Sequence, residues 1–284
     1  MPELPEVETV KNGILPVCLG NKISHIDIRR PDLRWPFPTD MAERLSGARI
    51  KALRRRSKYI LIDTDRDDVW LIHLGMSGRV TLDSGARTAN FHHHVAQLEK
   101  HDHVFVAFET GDTLTYNDPR RFGAMDVFKS AEEADHPLIR NLGPEPLGNR
   151  FNADYLFDAF RNKKAPVKSS LLDQRIIAGL GNIYVCEALW RSGIHPARHA
   201  GKIARPRIET LATHIRNVLE EAIAAAGSSL QDYRQADGEL GYFQYNFAVY
   251  GQEERPCQKQ GCDGVIKRIV QSGRSSFYCN TCQR

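Results

Sequence analysis

Short apolar runs recur between residues 22 and 128, among them Tyr59-Ile-Leu-Ile-Asp, Val69-Trp-Leu-Ile-His and His103-Val-Phe-Val-Ala-Phe. Runs of this length, rich in β-branched and aromatic residues and parted by turn signals such as Asp83-Ser-Gly and Thr110-Gly-Asp, predict strands within 22–30, 48–65, 69–82, 92–108 and 113–128. Many short strands with close turns predict an antiparallel sandwich or barrel. Ahead of them, Val7, Val10 and Ile14 recur at helical spacing. Pro5 suits the first turn of that helix, where its missing N–H would have no partner.

Past residue 150 the period lengthens. Apolar residues three and four apart predict helices over Ala153–Asn162, Val167–Gln174, Asn182–Arg191 and Ile208–Ala225, with Asn182 as a candidate cap after the Ala178-Gly-Leu-Gly turn. Between the two patterns lies Asn141-Leu-Gly-Pro-Glu-Pro-Leu-Gly, whose paired prolines and glycines predict an interdomain linker. The polar, aromatic stretch 227–250 reads as an exposed loop. The expected architecture is α+β with two domains: an N-terminal β-sandwich over 1–130, a linker over 131–150, a helical domain over 151–226, a loop and connection over 227–250, and a cysteine-bearing finger over 251–284.

Composition agrees with a folded, soluble, cytoplasmic chain. The 284 residues are 41% hydrophobic, without an apolar stretch of membrane-spanning length or a basic-then-apolar leader. Net charge is only +4, but it is unevenly spread: Arg49, Lys51, Arg54, Arg55, Arg56 and Lys58 form one acid-free block, Arg161, Lys163, Lys164 and Lys168 a second, and Arg120–Arg121 a third. Such blocks either neutralise phosphates or make solvated faces.

Four of the six cysteines fall at the end as Cys257-x4-Cys262-x16-Cys279-x2-Cys282. Two pairs separated by a hairpin's length are the pattern of four thiolates around one structural Zn²⁺, with no coordination position left for catalysis. Val265–Val270 and Ser276–Tyr278 supply the hairpin, turning at Gln271-Ser-Gly-Arg and carrying Arg274 at the tip. Scattered disulfides and a redox or nucleotide cofactor are not expected; the Gly179-Leu-Gly181-Asn182 turn lacks a dinucleotide fingerprint's spacing. It could still offer backbone N–H groups to a phosphate, or simply open a helix.

The chain begins Met-Pro2-Glu3-Leu-Pro-Glu6. Without Met1, Pro2 presents a secondary amine, a nucleophile able to form a Schiff base with a sugar carbonyl carbon, next to a carboxylate. The competing reading is a well-started helix. Asn117-Asp-Pro-Arg-Arg-Phe-Gly joins a turn to two guanidiniums and an aromatic that could wedge between base steps, or make an ordinary basic turn. Met76 reads by default as a core methionine, and the histidines at 92–94 as a loop.

Taken together, Pro2-Glu-Leu-Pro-Glu-Val-Glu-Thr, Arg56-Ser-Lys58-Tyr, His73-Leu-Gly-Met-Ser-Gly, Lys100-His-Asp-His, Asp118-Pro-Arg-Arg-Phe-Gly, Leu142-Gly-Pro-Glu-Pro-Leu, Gly181-Asn-Ile-Tyr and the terminal ribbon resemble bacterial formamidopyrimidine-DNA glycosylases, in order and along the whole chain. Leu4 and the Asp118 segment favour this purine-lesion branch over the sister endonuclease VIII branch. The first cysteine pair is spaced by four residues where the family usually has two, and Cys186 precedes Glu187 where a small or acidic residue is usual.

The resemblance implies a helix-two-turns-helix fold for the helical domain and a monomer acting on double-stranded DNA with oxidised purines. It implies Pro2 as nucleophile, Glu3 as acid/base partner, and Lys58 and Arg274 as proton donors in two successive eliminations. Glu6 and Glu187 would belong to the lesion pocket. Met76, Arg120 and Phe122 would fill the vacated stack, Asn182 would grip a phosphate with Arg274, and His101, Lys163, Lys164 and Lys168 would be further DNA contacts. The loop around 228–246 would close over the flipped base. A non-enzymatic zinc-ribbon DNA-binding protein would need the cysteines and basic blocks, but not Pro2-Glu3 together with Lys58.

Overall fold

The computed structural model describes residues 2–83, 99–228 and 242–284. The chain divides into two compact units, one of residues 1–140 with 226–241 and one of 141–225 with 242–284.

In the first unit, helix α1 (Leu4–Cys18) precedes strands β1 (Ile23–Ile28), β2 (Ile50–Arg56), β3 (Tyr59–Thr64), β4 (Asp68–His73), β5 (Arg79–Asp83), β6 (Asp102–Phe108), β7 (Thr113–Asn117) and β8 (Ala124–Lys129). They form two antiparallel sheets of order β1-β6-β7-β5 and β2-β3-β4-β8. Ile26, Val104, Val106, Leu114 and Tyr116 of the first sheet share one core with Ile60, Ile62, Trp70, Ile72 and Val127 of the second, and α1 adds Val7, Val10, Ile14 and Cys18. This is the expected sandwich. Strands β3 and β4 are buried on both faces, because Leu61, Val69, Leu71 and Phe128 pack under Ile139 outside the core. Their continuous apolar runs follow from that double burial.

Two features depart from the sequence pattern. A five-residue helix α2 (Met41–Leu45) buries Met41 and Leu45, and is too short to show a helical period. The stretch expected as linker opens with a 3-10 turn over Ser130–Asp135, and His136 then stacks on Phe128 with ring centroids 4.2 Å apart. Residues up to 140 therefore pack with the sandwich, and the unit boundary follows Arg140.

The second unit contains α3 (Ala153–Phe160), α4 (Val167–Leu171), α5 (Asn182–Arg191), α6 (Arg205–Ala224) and a hairpin of β9 (Ile266–Gln271) with β10 (Arg274–Cys279). Leu156, Phe160, Leu171, Tyr184, Leu189, Leu211, Ile215 and Leu219 form its core. Between α4 and α5 the side chain of Gln174 stitches two turns together, donating to the carbonyls of Leu172 (3.1 Å) and Leu180 (2.8 Å) and accepting from Gly179 N–H (2.7 Å). No helix among the described residues is long and apolar enough to cross a membrane. The histidines at 92–94 and residues 229–241 of the expected closing loop lie outside the described residues.

Candidate active site and nucleic-acid interface

At the start of the first unit Pro2 is buried, and Glu3 and Glu6 are each 2% exposed. Glu3 is the N-cap of α1, in extended conformation, and its backbone N–H donates to Glu6 Oε2 at 2.8 Å. The Glu6 carboxylate thereby satisfies an amide left over at the helix start, the geometry expected of an acidic residue at the third helical position. Its other oxygen accepts from both N–H (2.8 Å) and Oγ–H (3.0 Å) of Ser228. Gly227 sits beside it at φ +77°, where an added Cβ would lie 3.1 Å from Glu6 Cγ and Oε1. The helix start is thus tied down by a residue more than two hundred positions away.

Lys58, 8% exposed, occupies the two-residue turn between Arg56 and Tyr59, which pair across β2 and β3. Ser57 in the same turn adopts φ +56°, a left-handed conformation that usually selects glycine and stores strain when another residue holds it. Arg55 braces the turn: Nη1 donates to Ser57 O at 3.0 Å while Nε donates to Glu8 Oε2 on α1 at 2.7 Å. Burial opposes ionisation of Glu8, but Lys11 and Arg55 alongside it hold its carboxyl below the usual range. The basic block left open between a phosphate-neutralising and a solvated face is therefore partly internal. Arg54 likewise pairs with Asp63 (2.6 Å) and Glu133 (2.7 Å).

A second cluster of this unit surrounds a cavity of about 570 Å³ lined by Leu33, Arg34, His73, Gly75, Met76, Arg120, Arg121 and Phe122. Phe122 is 43% exposed and the Arg120 guanidinium lies over its ring, 4.8 Å from the centroid. Met76 is half-buried at the rim rather than in the core, so the default reading of it is corrected. His73 and Arg34, which the sequence reading did not single out, join them. Burial, with Lys58 and Arg34 nearby, pushes the His73 imidazole down to about 4, leaving it neutral at physiological pH. His101 is half-buried, and its carbonyl accepts from Asp118 N–H at 3.1 Å.

In the second unit Asn182 is the first residue of α5, not its cap; Gly181 holds the cap position. The Asn182 side chain instead donates to Ser275 O at 3.0 Å. Lys168 converges on the same carbonyl at 2.8 Å and on Ser276 Oγ at 2.7 Å. At 1% exposure it is a buried anchor of the hairpin, which corrects the expectation of an open DNA contact. Arg274, next along and exposed, leaves a two-residue turn whose Ser272 and Gly273 both have positive φ, as tight hairpins require. Lys163 is half-buried and Lys164 exposed. Glu187 is corrected as well: its carboxylate accepts from the N–H groups of Ala248 (3.1 Å), Val249 (3.0 Å) and Tyr250 (2.8 Å), so it clasps the chain entering the finger instead of facing an open pocket. Burial raises its pKa against those three donors.

The cysteines converge as expected. The sulfur atoms of Cys257, Cys262, Cys279 and Cys282 lie within 4.8 Å of one another, with Cys257–Cys282 at 3.8 Å and Cys262–Cys279 at 3.6 Å. Metal–sulfur bonds of about 2.3 Å in a tetrahedron give edges of about 3.8 Å, so the spacing fits a thiolate-bound ion and excludes a disulfide. N–H groups of Gly264 and Thr281 and the indole of Trp190 donate to Cys262, Cys279 and Cys257 at 3.4, 3.4 and 3.3 Å. A Cβ at Gly264 would come within 2.5 Å of Cys279 Sγ, so the knuckle needs glycine there.

Comparison with known proteins covers the same ground. Residues 1–125 match the formamidopyrimidine-DNA glycosylase N-terminal domain, 142–234 the formamidopyrimidine-DNA glycosylase H2TH domain, and 256–284 the zinc finger found in FPG and IleRS. The chain is 60% identical over 284 residues, the full length of both partners, to the formamidopyrimidine-DNA glycosylases of Roseobacter denitrificans and Ruegeria sp.. Among solved structures, MutM (Fpg) of Thermus thermophilus superposes with a TM-score of 0.86 at 36% identity, covering 99% of this chain and 98% of that one. A Lactococcus lactis Fpg variant in complex with Fapy-dG-containing DNA gives 0.89 at 31% identity, with both chains fully covered. A buried Pro2-Glu3 start, a four-cysteine knuckle and relatives matched from end to end place this chain in the formamidopyrimidine-DNA glycosylase family.

Proposed function

We propose that this chain is a bifunctional DNA glycosylase and AP lyase that removes oxidised purines, 8-oxoguanine and formamidopyrimidines, opposite cytosine, and acts as a monomer on double-stranded DNA. The observation that carries the reading is the N-terminal arrangement, in which Pro2 sits in a buried site beside two buried carboxylates. Structures of relatives in complex with lesion-containing and abasic-site DNA support the substrate class.

With Met1 removed, the Pro2 nitrogen has a lone pair for C1′ of a flipped nucleotide. The N–C1′ bond forms as the glycosidic bond breaks, and the base leaves with its electron pair. The Pro2 nitrogen then gives up its proton, and its lone pair forms the iminium as the C1′–O4′ bond breaks and Glu3 delivers a proton to O4′; the iminium lowers the barrier to removing a C2′ proton. The 3′ phosphate leaves first and the 5′ phosphate second, with Lys58 and Arg274 as the proton donors. Arg274 and Asn182 grip the backbone phosphate, while Met76, Arg120 and Phe122 occupy the emptied stack. The four cysteines hold a structural Zn²⁺, whose contribution is to fold the small finger. Lys168 and Asn182 then fix the orientation of the hairpin that bears Arg274.

The test is borohydride trapping on a duplex with 8-oxoguanine opposite cytosine. A covalent adduct at Pro2, lost in Pro2→Gly, is expected. Binding without an adduct would leave a DNA-binding protein, and a strong preference for oxidised pyrimidines would assign the chain to the sister branch.

A further inference from the structure

Asp118 lies at the foot of the loop that carries Arg120 and Phe122, and its side chain is completely buried. A carboxylate in such a place is costly unless its oxygens are bonded. Here Oδ1 accepts from Ser77 Oγ–H at 2.6 Å and Oδ2 from Gly123 N–H at 2.8 Å, with the Tyr116 hydroxyl at 3.5 Å. The first bond crosses to the loop that carries Met76, and the second closes the 118–123 loop on itself. Ser77 Oγ, having donated to Asp118, accepts from Arg120 N–H at 3.1 Å. The main chain of Asp118 is equally engaged, its carbonyl taking Arg121 N–H at 3.2 Å and facing His103 Nε2 at 2.9 Å.

The two loops touch backbone to backbone. A Cβ on Gly75 would fall 2.3 Å from Phe122 C, and one on Gly123 would fall 1.8 Å from the Tyr116 hydroxyl. Gly75 (φ +63°) and Arg121 (φ +58°) are both left-handed. Bonds that also strain the chain hold a single platform, from which Met76, Arg120 and Phe122 face the cavity. An exposed phenylalanine under a guanidinium gains nothing for the folded protein by staying exposed. As a wedge it gains from rigidity, because a mobile loop would have to be ordered when it enters a duplex.

We propose that Asp118 is a positioning residue for insertion. Its carboxylate fastens the Arg120–Phe122 loop to Ser77 and the Met76 loop, and so sets how well the enzyme discriminates the base opposite the lesion. This rests on the proposed function, and the experiment separates the two. Asp118→Asn keeps the shape but replaces one acceptor oxygen with a donor; Ser77→Ala removes the bridging hydroxyl without disturbing charge, and decides the matter if Asp118→Asn does not fold.

Three readouts are taken on folded protein. They are borohydride trapping on a single-stranded abasic oligonucleotide, fluorescence of 2-aminopurine placed opposite the lesion, and the ratio of kcat/KM for 8-oxoguanine opposite cytosine and opposite adenine. Both variants are expected to trap the single-stranded site within about twofold of wild type. They should lose most of the 2-aminopurine response and about tenfold of the opposite-base ratio, the scale of one to two lost hydrogen bonds. A folded variant with an unchanged ratio and signal overturns the role of Asp118 alone. A wild-type protein that traps nothing removes the enzymatic reading and this proposal together.

Discussion

Glu8 on α1 and Arg55 on β2 form an ion pair at 2.7 Å between side chains that are 20% and 9% exposed. Because Arg55 also holds Ser57 O, the pair links the helix that follows Pro2 and Glu3 to the turn that presents Lys58. Coulomb attraction and these two hydrogen bonds tie α1 to the turn between β2 and β3 across forty-seven residues of sequence.

Arg55→Met should therefore slow strand nicking more than base release. Leaving Glu8 with a weakened partner costs about 1–3 kcal/mol, and a misplaced Lys58 loses about tenfold or more in the elimination step. Single-turnover assays that follow free base and nicked strand separately check this; equal slowing of both steps would reduce Arg55 to a stabilising residue.

Glu6→Gln keeps the size of the side chain but turns an N–H donor toward the Glu3 amide or the Ser228 amide. One donor is left facing another, at a cost of about 1–3 kcal/mol. Gly227→Ala attacks the same contact from the opposite side, forcing a Cβ to 3.1 Å from Glu6 in a left-handed conformation. Both variants should lower the thermal unfolding temperature by several degrees and reduce Pro2 trapping. Differential scanning calorimetry beside the trapping assay would show whether the two losses occur together.

The indole of Trp190 donates to Cys257 Sγ, and such outer donors are worth about 10–100-fold in metal affinity. Trp190→Phe should lose zinc correspondingly faster to a chromogenic chelator, and chelation should alter Trp190 emission in the parent protein. An unchanged release rate would confine Trp190 to packing.

The acid stability of the fold should depend on His73. Its pKa is about 4 in the folded chain against 6.5 for the free side chain, so the unfolded chain binds a proton more readily. The stabilisation is complete above about pH 6.5, is lost progressively as pH falls, and is gone below about pH 4. Urea unfolding between pH 7 and pH 4 should show a shallower loss in His73→Gln than in the parent. An imidazole titrating near 6.5 in the folded protein, seen by NMR, contradicts the assignment.

Local order was legible in the sequence because it is written in near-neighbour spacing. The strand runs of β1 to β8, the first turn of α1 around Pro5, the four-residue rhythm of α5 and α6, and the turn at Ser272-Gly273 all follow from residues within a few positions of one another. The cysteine spacing carried the metal site in the same way, since both knuckles and the hairpin between them are contiguous. Side-chain destiny was not legible. Lys168 and Arg55 sit in acid-free basic runs that look alike on paper, yet one is buried under Ser275 and the other spent on Glu8.

The sequence by itself thus determined which elements form and where a thiolate cluster closes. Only the tertiary structure decided which charges remain available to a phosphate, that Glu187 clasps backbone, and that Asp118 joins two loops into one platform. The reason is physical: helix and strand periods arise from backbone geometry within one element, whereas desolvation and pairing of a charge depend on whatever the fold brings beside it, here from as far as 222 residues away.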